Sequence, residues 1–489
     1  MTVPLLSRIT AEDAHRRRWE LLALTSIGAF MAPLDGSIVS VALPVMSPDL
    51  GLTFAASMWV QAAYLLATAV LLIPMGRLAD QHGRVRFYLI GITVFTAGSL
   101  LAALSMNGAW LITSRVIQGG GAALMVATSA AIVTAVFPPQ ERGRALGINV
   151  MAVYIGLSVG PPLGGILADT LGWRSIFLIN MPIGLIVLAW GWMMLPRSER
   201  AQDASRVDVA GSTLLGVFLI SLLVPLTFAP EWGWAAPLTL GLLALAVVSL
   251  AGFVVVERRV DSPVLDLDLL VHNRLFAAAN TAALLNYMAL FAIGLLTAIF
   301  LEVVQDRSAA VTGWLMLSQP LLMAVLSPFS GRLSDRIGSR VLATGGMVTI
   351  AFGMVLLAAM PTTAPVWQVA GNLAIVGLGM AAFSAPNTSA VMGSVRRDQL
   401  GVASAFLGTM RTAGMALSVA LLGGIAASQL GRLGGRLLFT HGGDGALGLA
   451  AQAVSGYARG YRYAMLTGAV LALAGAGVSL TRGAHGVRV

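Results

Sequence analysis

One carboxylate, Asp35, lies within the first long apolar stretch of the sequence. Moving a charged side chain to the middle of a membrane costs at least about 2.5–3.5 kcal/mol, so such a residue is usually retained for a function. Because surroundings of low polarity disfavour the charged form of a carboxyl group, Asp35 is expected to take up and release a proton. The alternative is a structural carboxylate that is held by an arginine or by backbone N–H groups.

Arg115 is the predicted partner of Asp35. Asp35 lies nine residues before Pro44, which is about 13 Å of helix, and Arg115 lies seven residues after Gly108, which is about 10 Å. Both distances are measured from the same face of the membrane, so the two side chains lie at similar depth. Opposite charges at similar depth lower each other's desolvation cost by pairing. A purely structural arginine held by Gln118 is the alternative.

Other polar side chains also fall within apolar stretches. They could line a substrate cavity, although intramembrane Asn and Tyr more often hydrogen-bond between helices. Arg411 is expected to face the protein interior for the same reason as Asp35, with structural pairing as its alternative role. The cavity candidates are Gln61, Tyr64, Gln118, Asn149, Tyr154, Asn280, Asn286, Tyr287, Asn387 and Arg411.

Glu302 is a second carboxylate of interest, at the end of an apolar stretch near 275–302. It could be a second proton site, or it could attract cations at the mouth of a pathway. It could equally be a solvated loop carboxylate beside Asp306 and Arg307. The sequence leaves these interpretations open.

The composition places these residues in a membrane protein. The chain has 489 residues, of which 57% are hydrophobic and 10% are charged, whereas soluble proteins carry about 25% charged residues. Apolar runs of about 20 residues, long enough to span a bilayer, recur along the chain. The predicted spanning helices lie near 20–43, 58–76, 87–106, 109–135, 147–168, 175–195, 209–229, 236–256, 275–302, 312–331, 341–360, 366–390, 402–425 and 462–481.

Two missing residue types exclude several kinds of chemistry. The chain has no cysteine and no lysine, so thiolate sites, a P-loop ATPase and a Schiff-base cofactor are all excluded. We find no metal cluster and no nucleophile–base set, so we expect neither a cofactor nor an enzyme. The driving energy must therefore come from a gradient or from another protein.

The distribution of arginines predicts the orientation. Loops rich in arginine stay in the cytoplasm, and most arginines fall in one set of alternate loops. Both termini are therefore predicted to be cytoplasmic, in a multi-pass protein of the cytoplasmic (inner or plasma) membrane. The stretch from about 426 to 461 is predicted to be an external loop. The external arginines are Arg174, Arg307, Arg432, Arg436, Arg459 and Arg462. Because the arginines that give the net charge of +9 are explained by their distribution among the loops, nucleic acid is not an expected partner.

A short motif occurs twice and divides the chain. GRLADQHG at 76–83 recurs as GRLSDRIG at 331–338, and two repeated six-helix halves are an architecture of transporters. The distance between the copies leaves room for two inserted helices. The predicted units are 1–201 and 263–489, each with six helices, and 202–262 with two.

Both copies of the motif are interpreted as parts of a cytoplasmic gate. Asp80 could accept from a helix N-terminus or from an arginine across the interface between the halves, while Arg77 and Arg84 would face water, headgroups or acidic partners. The alternative is ordinary loop charge that sets topology. The second copy departs at Ser339, where the first has Arg84. The gate candidates are Gly76, Arg77, Asp80, Gly83, Arg84, Gly331, Asp335 and Gly338.

The fifth span carries the string GLSVGPPLGG at 156–165. Its glycines allow another helix to approach closely, and its prolines bend the helix. The sequence alone therefore predicts tight and kinked packing. The residues concerned are Gly156, Gly160, Pro161, Gly164 and Gly165.

Taken in order, these strings resemble the fourteen-helix drug:proton antiporters of the major facilitator superfamily. The resemblance covers nearly the whole chain. It rests on both repeats, on the string at 156–165, and on LDGSIVSVALP at 34–44, RVIQG at 115–119 and WRSIFLINMPIG at 173–184. It implies the superfamily fold, a part in proton transfer for Arg115, and export through the glycine-rich span. It also marks Glu302 as a departure, because many members carry an amide there.

The function expected from these features is export of small amphipathic compounds, cationic or neutral, in exchange for protons. A dedicated exporter of one metabolite or antibiotic is the nearest alternative, and an uptake carrier or a non-transporting receptor is further removed. The expected partners are an organic substrate, protons and membrane lipids, and the protein is expected to act as a monomer. The sequence does not identify an adaptor protein.

Overall fold

The computed structural model describes residues 17–194, 208–260, 263, 267–396, 400–430, 434, 438–439 and 447–482. Within them are 14 helices long and apolar enough to cross a membrane, and no strand. The predicted all-α membrane fold is therefore confirmed.

The helices of the first half are α1 (Arg18–Asp49), α2 (Phe54–His82), α3 (Arg84–Ala103), α4 (Gly108–Val136), α5 (Pro139–Leu171) and α6, in two segments, Ser175–Leu178 and Asn180–Met194. The next two are α7 (Val209–Trp232) and α8 (Pro237–Glu257). The second half has α9 (Arg274–Ile299, continuing as a π-helical turn, Phe300–Val304), α10 (Ala309–Met316 and Ser318–Ile337), α11 (Ser339–Ala358), α12 (Val366–Gly393), α13 (Leu400–Ser428) and α14 (Leu447–Leu480).

The helices form two six-helix bundles. In the first, α1 packs on α5 while α4 packs on α2 and α3; in the second, α12 packs on α10 and α11, and α9 packs on α13. Helices α7 and α8 pack on each other, and α7 also contacts α2 and α13 at the edge of both bundles. The inserted pair therefore lies beside the bundles. The predicted unit boundaries at 201 and 262 fall outside the described residues.

The two copies of the repeated motif form matching turns. Gly83 joins α2 to α3 with a φ of 108°, and Gly338 joins α10 to α11 with a φ of 89°. A residue with a β-carbon is strained in this left-handed region, so each turn requires its glycine. We call the end of the molecule that holds these turns the repeat side. The opposite end, which holds the loops at Gly51 and Gly172, is the far side.

The predicted external loop at 426–461 is wrong in its second part. Helix α14 begins at Leu447, fifteen residues before its predicted start. Arg459 and Arg462 suggested a loop, but both are exposed on one face of this helix. The other face buries Tyr457, whose hydroxyl donates to the Leu296 carbonyl oxygen at 2.8 Å. Arg432 and Arg436 lie outside the described residues.

Candidate functional site

Asp35 lies near the middle of α1. It is seventeen residues from the repeat-side end of the helix and fourteen from the far-side end, about 25 and 21 Å at the rise of a helix. Its side chain is fully buried. A carboxylate at this depth requires compensation from hydrogen-bond donors or from a positive charge.

Three donors surround the Asp35 carboxylate. Arg115 of α4 donates to Oδ2 through Nη1 and forms a salt bridge in which both side chains have no exposed surface. Gln118, one turn further along α4, donates through Nε2 to Oδ1 at 2.7 Å. Asn180, the first residue of the second α6 segment, donates to the same oxygen at 3.0 Å. The pairing of Asp35 with Arg115 that their depths predict is present.

Arg115 also contacts α2. Its Nε donates to the Val60 carbonyl oxygen at 3.1 Å, and its guanidinium carbon lies 4.4 Å from the centroid of the Tyr64 ring. The Tyr64 hydroxyl donates in turn to the Ala32 carbonyl oxygen of α1 at 3.2 Å. Gln61 reaches the Gly36 carbonyl oxygen at 2.9 Å. The cluster therefore connects α1, α2, α4 and α6 within the first bundle, and Gln61, Tyr64 and Gln118 belong to it.

Sequence reasoning missed two members of this cluster. Ser99 of α3 accepts from Gln118 Nε2 at 2.7 Å and from Asn180 Nδ2 at 3.3 Å, and both Ser99 and Asn180 are buried. Asn180 stands within one of the strings that carry the family resemblance, which was the available signal. Ser99 offers none, because serine occurs in many membrane helices.

The cluster suits an ionised carboxylate, since all three side chains that face it donate. Oδ1 already accepts two of these hydrogen bonds, so a proton on that oxygen would have to displace one of them, and a proton on Oδ2 would remove the negative charge that Arg115 binds. Protonation of Asp35 is therefore linked to a rearrangement of Arg115, Gln118 or Asn180. Through Arg115, such a rearrangement reaches the packing of α2.

Breaking this pair from one side should destabilise the protein. We expect Arg115→Gln to lower the free energy of unfolding by about 3–5 kcal/mol, because Asp35 is left buried without its counter-charge. Thermal unfolding of the detergent-solubilised protein, followed by intrinsic fluorescence, measures the effect. Arg462→Gln, on the exposed face of α14, is the control and should change stability by no more than about 0.5 kcal/mol. Equal stability of the two variants would contradict a paired Asp35.

A second polar cluster lies where the two bundles face each other. The Arg411 guanidinium carbon of α13 lies 5.1 Å from the centroid of the Tyr287 ring of α9, and Arg411 makes polar contacts with the hydroxyls of Tyr287 and Tyr154. Tyr154 belongs to α5 of the first bundle, and its hydroxyl lies 3.2 Å from Ser384 Oγ of α12. Three of the predicted cavity residues are thus brought together.

The glycine-rich part of α5 packs in two directions. A β-carbon at Gly156 or Gly164 would meet the backbone of α1, at Phe30 or Ile38, and one at Gly160 would meet Ser37. A β-carbon at Gly165 instead would lie 2.6 Å from the Ala309 carbonyl carbon at the start of α10. These glycines therefore hold α1 inside the bundle and join the bundles at the far side.

The contact between α5 and α10 is confined to the far side. Gly313 of α10 makes a similarly close contact with α5, since a β-carbon at Gly313 would lie 2.8 Å from the Pro161 carbonyl carbon. The Ala310 amide also donates to Asp169 Oδ2 at 2.8 Å. Helix α5 has far fewer contacts with the second segment of α10. Helices α5 and α10 are thus joined at the far side and diverge toward the repeat side, while α2 and α13 also pack against each other between the bundles.

The charged residues of the first repeat contact each other and the inserted helices. Asp80 in the last turn of α2 pairs with Arg84, the first residue of α3, and among the described residues it forms no ion pair with an arginine of the other half. Arg77 donates to the Pro263 carbonyl oxygen and interacts electrostatically with Glu257 and Asp208, at the repeat-side ends of α8 and α7.

The other gate candidates lie in these same turns. Gly76 falls near the end of α2, where a β-carbon would be in ordinary contact with Ala127. Gly331 of α10 has similar space beside Ala385 of α12. Asp335 lies in the last turn of α10, and its side chain is outside the described part of the structure.

Glu302 lies inside the π-helical turn that ends α9. Such turns are rare and often occur at functional sites. The side chain is half-buried, and among the described residues its Oε1 atom has no hydrogen-bond partner. Glu302 is therefore not a fully solvated loop carboxylate.

The four remaining cavity candidates are buried and bonded to protein groups. Asn149 donates to Ser129 Oγ at 3.0 Å, Asn280 to the Phe276 carbonyl oxygen at 2.9 Å, and Asn286 to Met380 Sδ at 3.3 Å. Asn387 accepts from Arg482, which is 1% exposed. Burial lowers the pKa of Arg482 to about 10.

The comparisons with known proteins agree on one family. The sequence profile of the Major Facilitator Superfamily matches residues 25–265 and 275–483. The riboflavin transporter RibZ of Clostridioides difficile is 33% identical over 85% of this chain and 90% of its own length. Multidrug resistance protein Stp of Mycobacterium tuberculosis is 36% identical over 84% and 77%. The tetracenomycin C resistance and export protein of Streptomyces glaucescens is 32% identical over 86% and 78%.

A solved structure has the same fold. A bacterial homologue of the human lysosomal transporter Spinster, in an inward-facing and unoccupied conformation, superposes with a TM-score of 0.70. The two proteins are 16% identical, and the match covers 95% of this chain and 96% of the other. At this identity the likeness shows the fold alone.

Proposed function

This chain belongs to the Major Facilitator Superfamily and is a multi-pass membrane transporter, and from this premise we propose that it exports small amphipathic organic compounds in exchange for protons. The observation that carries the proposal is the buried cluster of Asp35, Arg115, Gln118 and Asn180 at mid-membrane. It supplies one carboxylate whose protonation must move its neighbours.

The proposed orientation places the repeat side in the cytoplasm, as the arginine distribution favours. The described conformation, joined at the far side by α5 and α10, is then the inward-facing one. Substrate enters from the cytoplasm while Asp35 is ionised. In the outward-facing conformation Asp35 takes a proton, Arg115 is released, and the altered packing of α2 favours the return.

Export is favoured over uptake by two observations. The glycine-rich α5 resembles that of antiporters, and two of the relatives are named for resistance, one of them also for export. Another relative is named a riboflavin transporter, which keeps uptake as an alternative. A dedicated exporter of one compound is the nearer alternative, because the tetracenomycin C protein is named for a single compound.

Transport into everted proteoliposomes tests the proposal. The full chain is reconstituted, a proton gradient acid inside is imposed, and uptake of two dyes is followed. The dyes are rhodamine 110 and its methyl ester rhodamine 123, which differ only in whether one carboxyl group is free or esterified. We expect uptake of at least one dye, and we expect nigericin to abolish it by exchanging protons for potassium. Uptake that survives nigericin would contradict proton coupling.

A further inference from the structure

Arg411 is a deep positive charge for which the described residues provide no counter-charge. It lies eleven residues from the start of α13, about 16 Å from the repeat-side end of the helix. Among the described residues no carboxylate forms an ion pair with it, and its polar contacts are two tyrosine hydroxyls. Arginine remains charged in proteins, so the charge requires compensation from another source.

Arg411 is also accessible, unlike Arg115. Arg115 has no exposed surface and is held by Asp35 and Gln118. Arg411 and Tyr154 are both half-buried. Because Tyr154 belongs to the first bundle and Arg411 to the second, their contact lies between the two bundles. The two arginines therefore differ in their surroundings: Arg115 is enclosed within the first bundle, and Arg411 lies between the bundles.

The surroundings of Arg411 suit an anionic group. A guanidinium has five N–H donors, and two tyrosine hydroxyls cannot satisfy them all. Its planar fork binds a carboxylate through two parallel hydrogen bonds. The Tyr154 and Tyr287 hydroxyls beside it can donate to the same anion, while the Tyr287 ring supports the guanidinium from one face. A cationic ligand would be repelled here.

We infer that the substrates carry an acidic group, such as a carboxylate or an acidic phenol, which binds Arg411 together with the hydroxyls of Tyr154 and Tyr287. The inference rests on the proposed function and names its substrate class. It departs from the cationic or neutral substrates that the sequence alone favoured. The bound acid supplies the missing counter-charge, so Arg411 is neutralised when substrate is loaded.

The charge of the substrate has a consequence for coupling. If one proton enters for each monoanion exported, two elementary charges cross the membrane in each cycle. A membrane potential that is negative inside then favours export of an acid twice as strongly as export of a neutral compound. Imposing a potential across the proteoliposomes should therefore change the transport of an acid more than that of a neutral compound.

Equilibrium binding to the purified full chain in detergent tests the inference without any transport step. Rhodamine 110 and rhodamine 123 are titrated by fluorescence anisotropy against the wild type, Arg411→Gln and Arg411→Lys. We expect the wild type to prefer the acid over the ester. Arg411→Gln removes a charge-assisted hydrogen bond to the carboxylate, so it should reduce the preference for the acid over the ester by about tenfold or more. Arg411→Lys, which keeps the charge without the planar fork, should restore part of it.

Three outcomes would overturn the inference. They are failure of the wild type to bind rhodamine 110, equal affinity for acid and ester, and an unchanged preference in a folded Arg411→Gln protein. Tyr154→Phe, which removes one donor and keeps the charge, should weaken acid binding less than Arg411→Gln. If acid binding follows Arg411 but nigericin leaves transport unchanged, the substrate class stands and the proton-exchange proposal fails.

Discussion

Asp35→Asn is expected to reduce proton-driven transport by about 100-fold or more, a loss of about 2.7 kcal/mol or more. Asparagine has nearly the same shape as aspartate but cannot take up and release a proton, so the cluster would lose its titratable group. The asparagine NH₂ group would also face Arg115 or Gln118, both of which donate to Asp35 in the wild type. Transport of the rhodamine dyes into proteoliposomes under an imposed proton gradient measures the loss.

Exchange without a gradient separates lost coupling from lost folding. Asp35→Asn should still exchange external for internal dye, because this half-reaction requires no protonation. Glu20→Gln, near the repeat-side end of the same helix, is the matched control, since the Glu20 side chain is exposed. A surface change of this kind should alter the rate by about twofold at most. Full proton-driven transport by Asp35→Asn would refute the role given to this residue.

Gly165→Ala is expected to open the far side and to reduce transport by about tenfold or more. The new methyl group would lie 2.6 Å from the Ala309 carbonyl carbon and 2.9 Å from the Ala310 Cα atom. Neither atom belongs to a flexible side chain, so α5 and α10 must separate. Overpacking of this kind costs about 1–3 kcal/mol, and it destabilises the conformation in which α5 and α10 are joined at the far side.

Cysteine labelling measures this shift directly, because the chain has no cysteine of its own. Ala309→Cys places one thiol in the α5–α10 contact, where the wild-type residue is 2% exposed. A membrane-impermeant maleimide added from the far side should label it at least about tenfold faster when Gly165→Ala is also present. Gly147→Ala, in the same helix but with no atom near the new β-carbon, is the control. Equal labelling in the two backgrounds would show that Gly165 does not hold the seal.

The sequence predicted the parts of the site that charge and depth determine. A lone carboxylate and a lone arginine in apolar stretches have few possible partners, so Asp35 and Arg115 could be matched by counting residues. Ser99 and Asn180 could not be found in this way, because small polar residues are tolerated in many membrane helices and their neighbours depend on helix rotation.

The same limit applies at the surface. Asp80 had two expected partners, a helix N-terminus or an arginine of the other half, and only the packed structure shows that it pairs with Arg84, the first residue of α3. The early start of α14 was missed because Arg459 and Arg462 indicate a loop by composition. Their exposure on one helix face, with Tyr457 buried on the other, becomes evident only once α14 is packed against α9. Likewise, it follows from packing that none of the described carboxylates pairs with Arg411.

The central claim is that Asp35 exchanges a proton for substrate, and proton movement driven by substrate tests it most directly. Proteoliposomes loaded with rhodamine 110 and a trapped pH indicator are diluted into dye-free buffer of equal pH, with the potential clamped by valinomycin and potassium. Export of the dye should acidify the interior with wild-type protein. With Asp35→Asn it should leave the internal pH unchanged, although the same proteoliposomes still exchange dye when dye is present on both sides. Dye efflux without acidification in the wild type, or the same acidification with Asp35→Asn, would contradict the account.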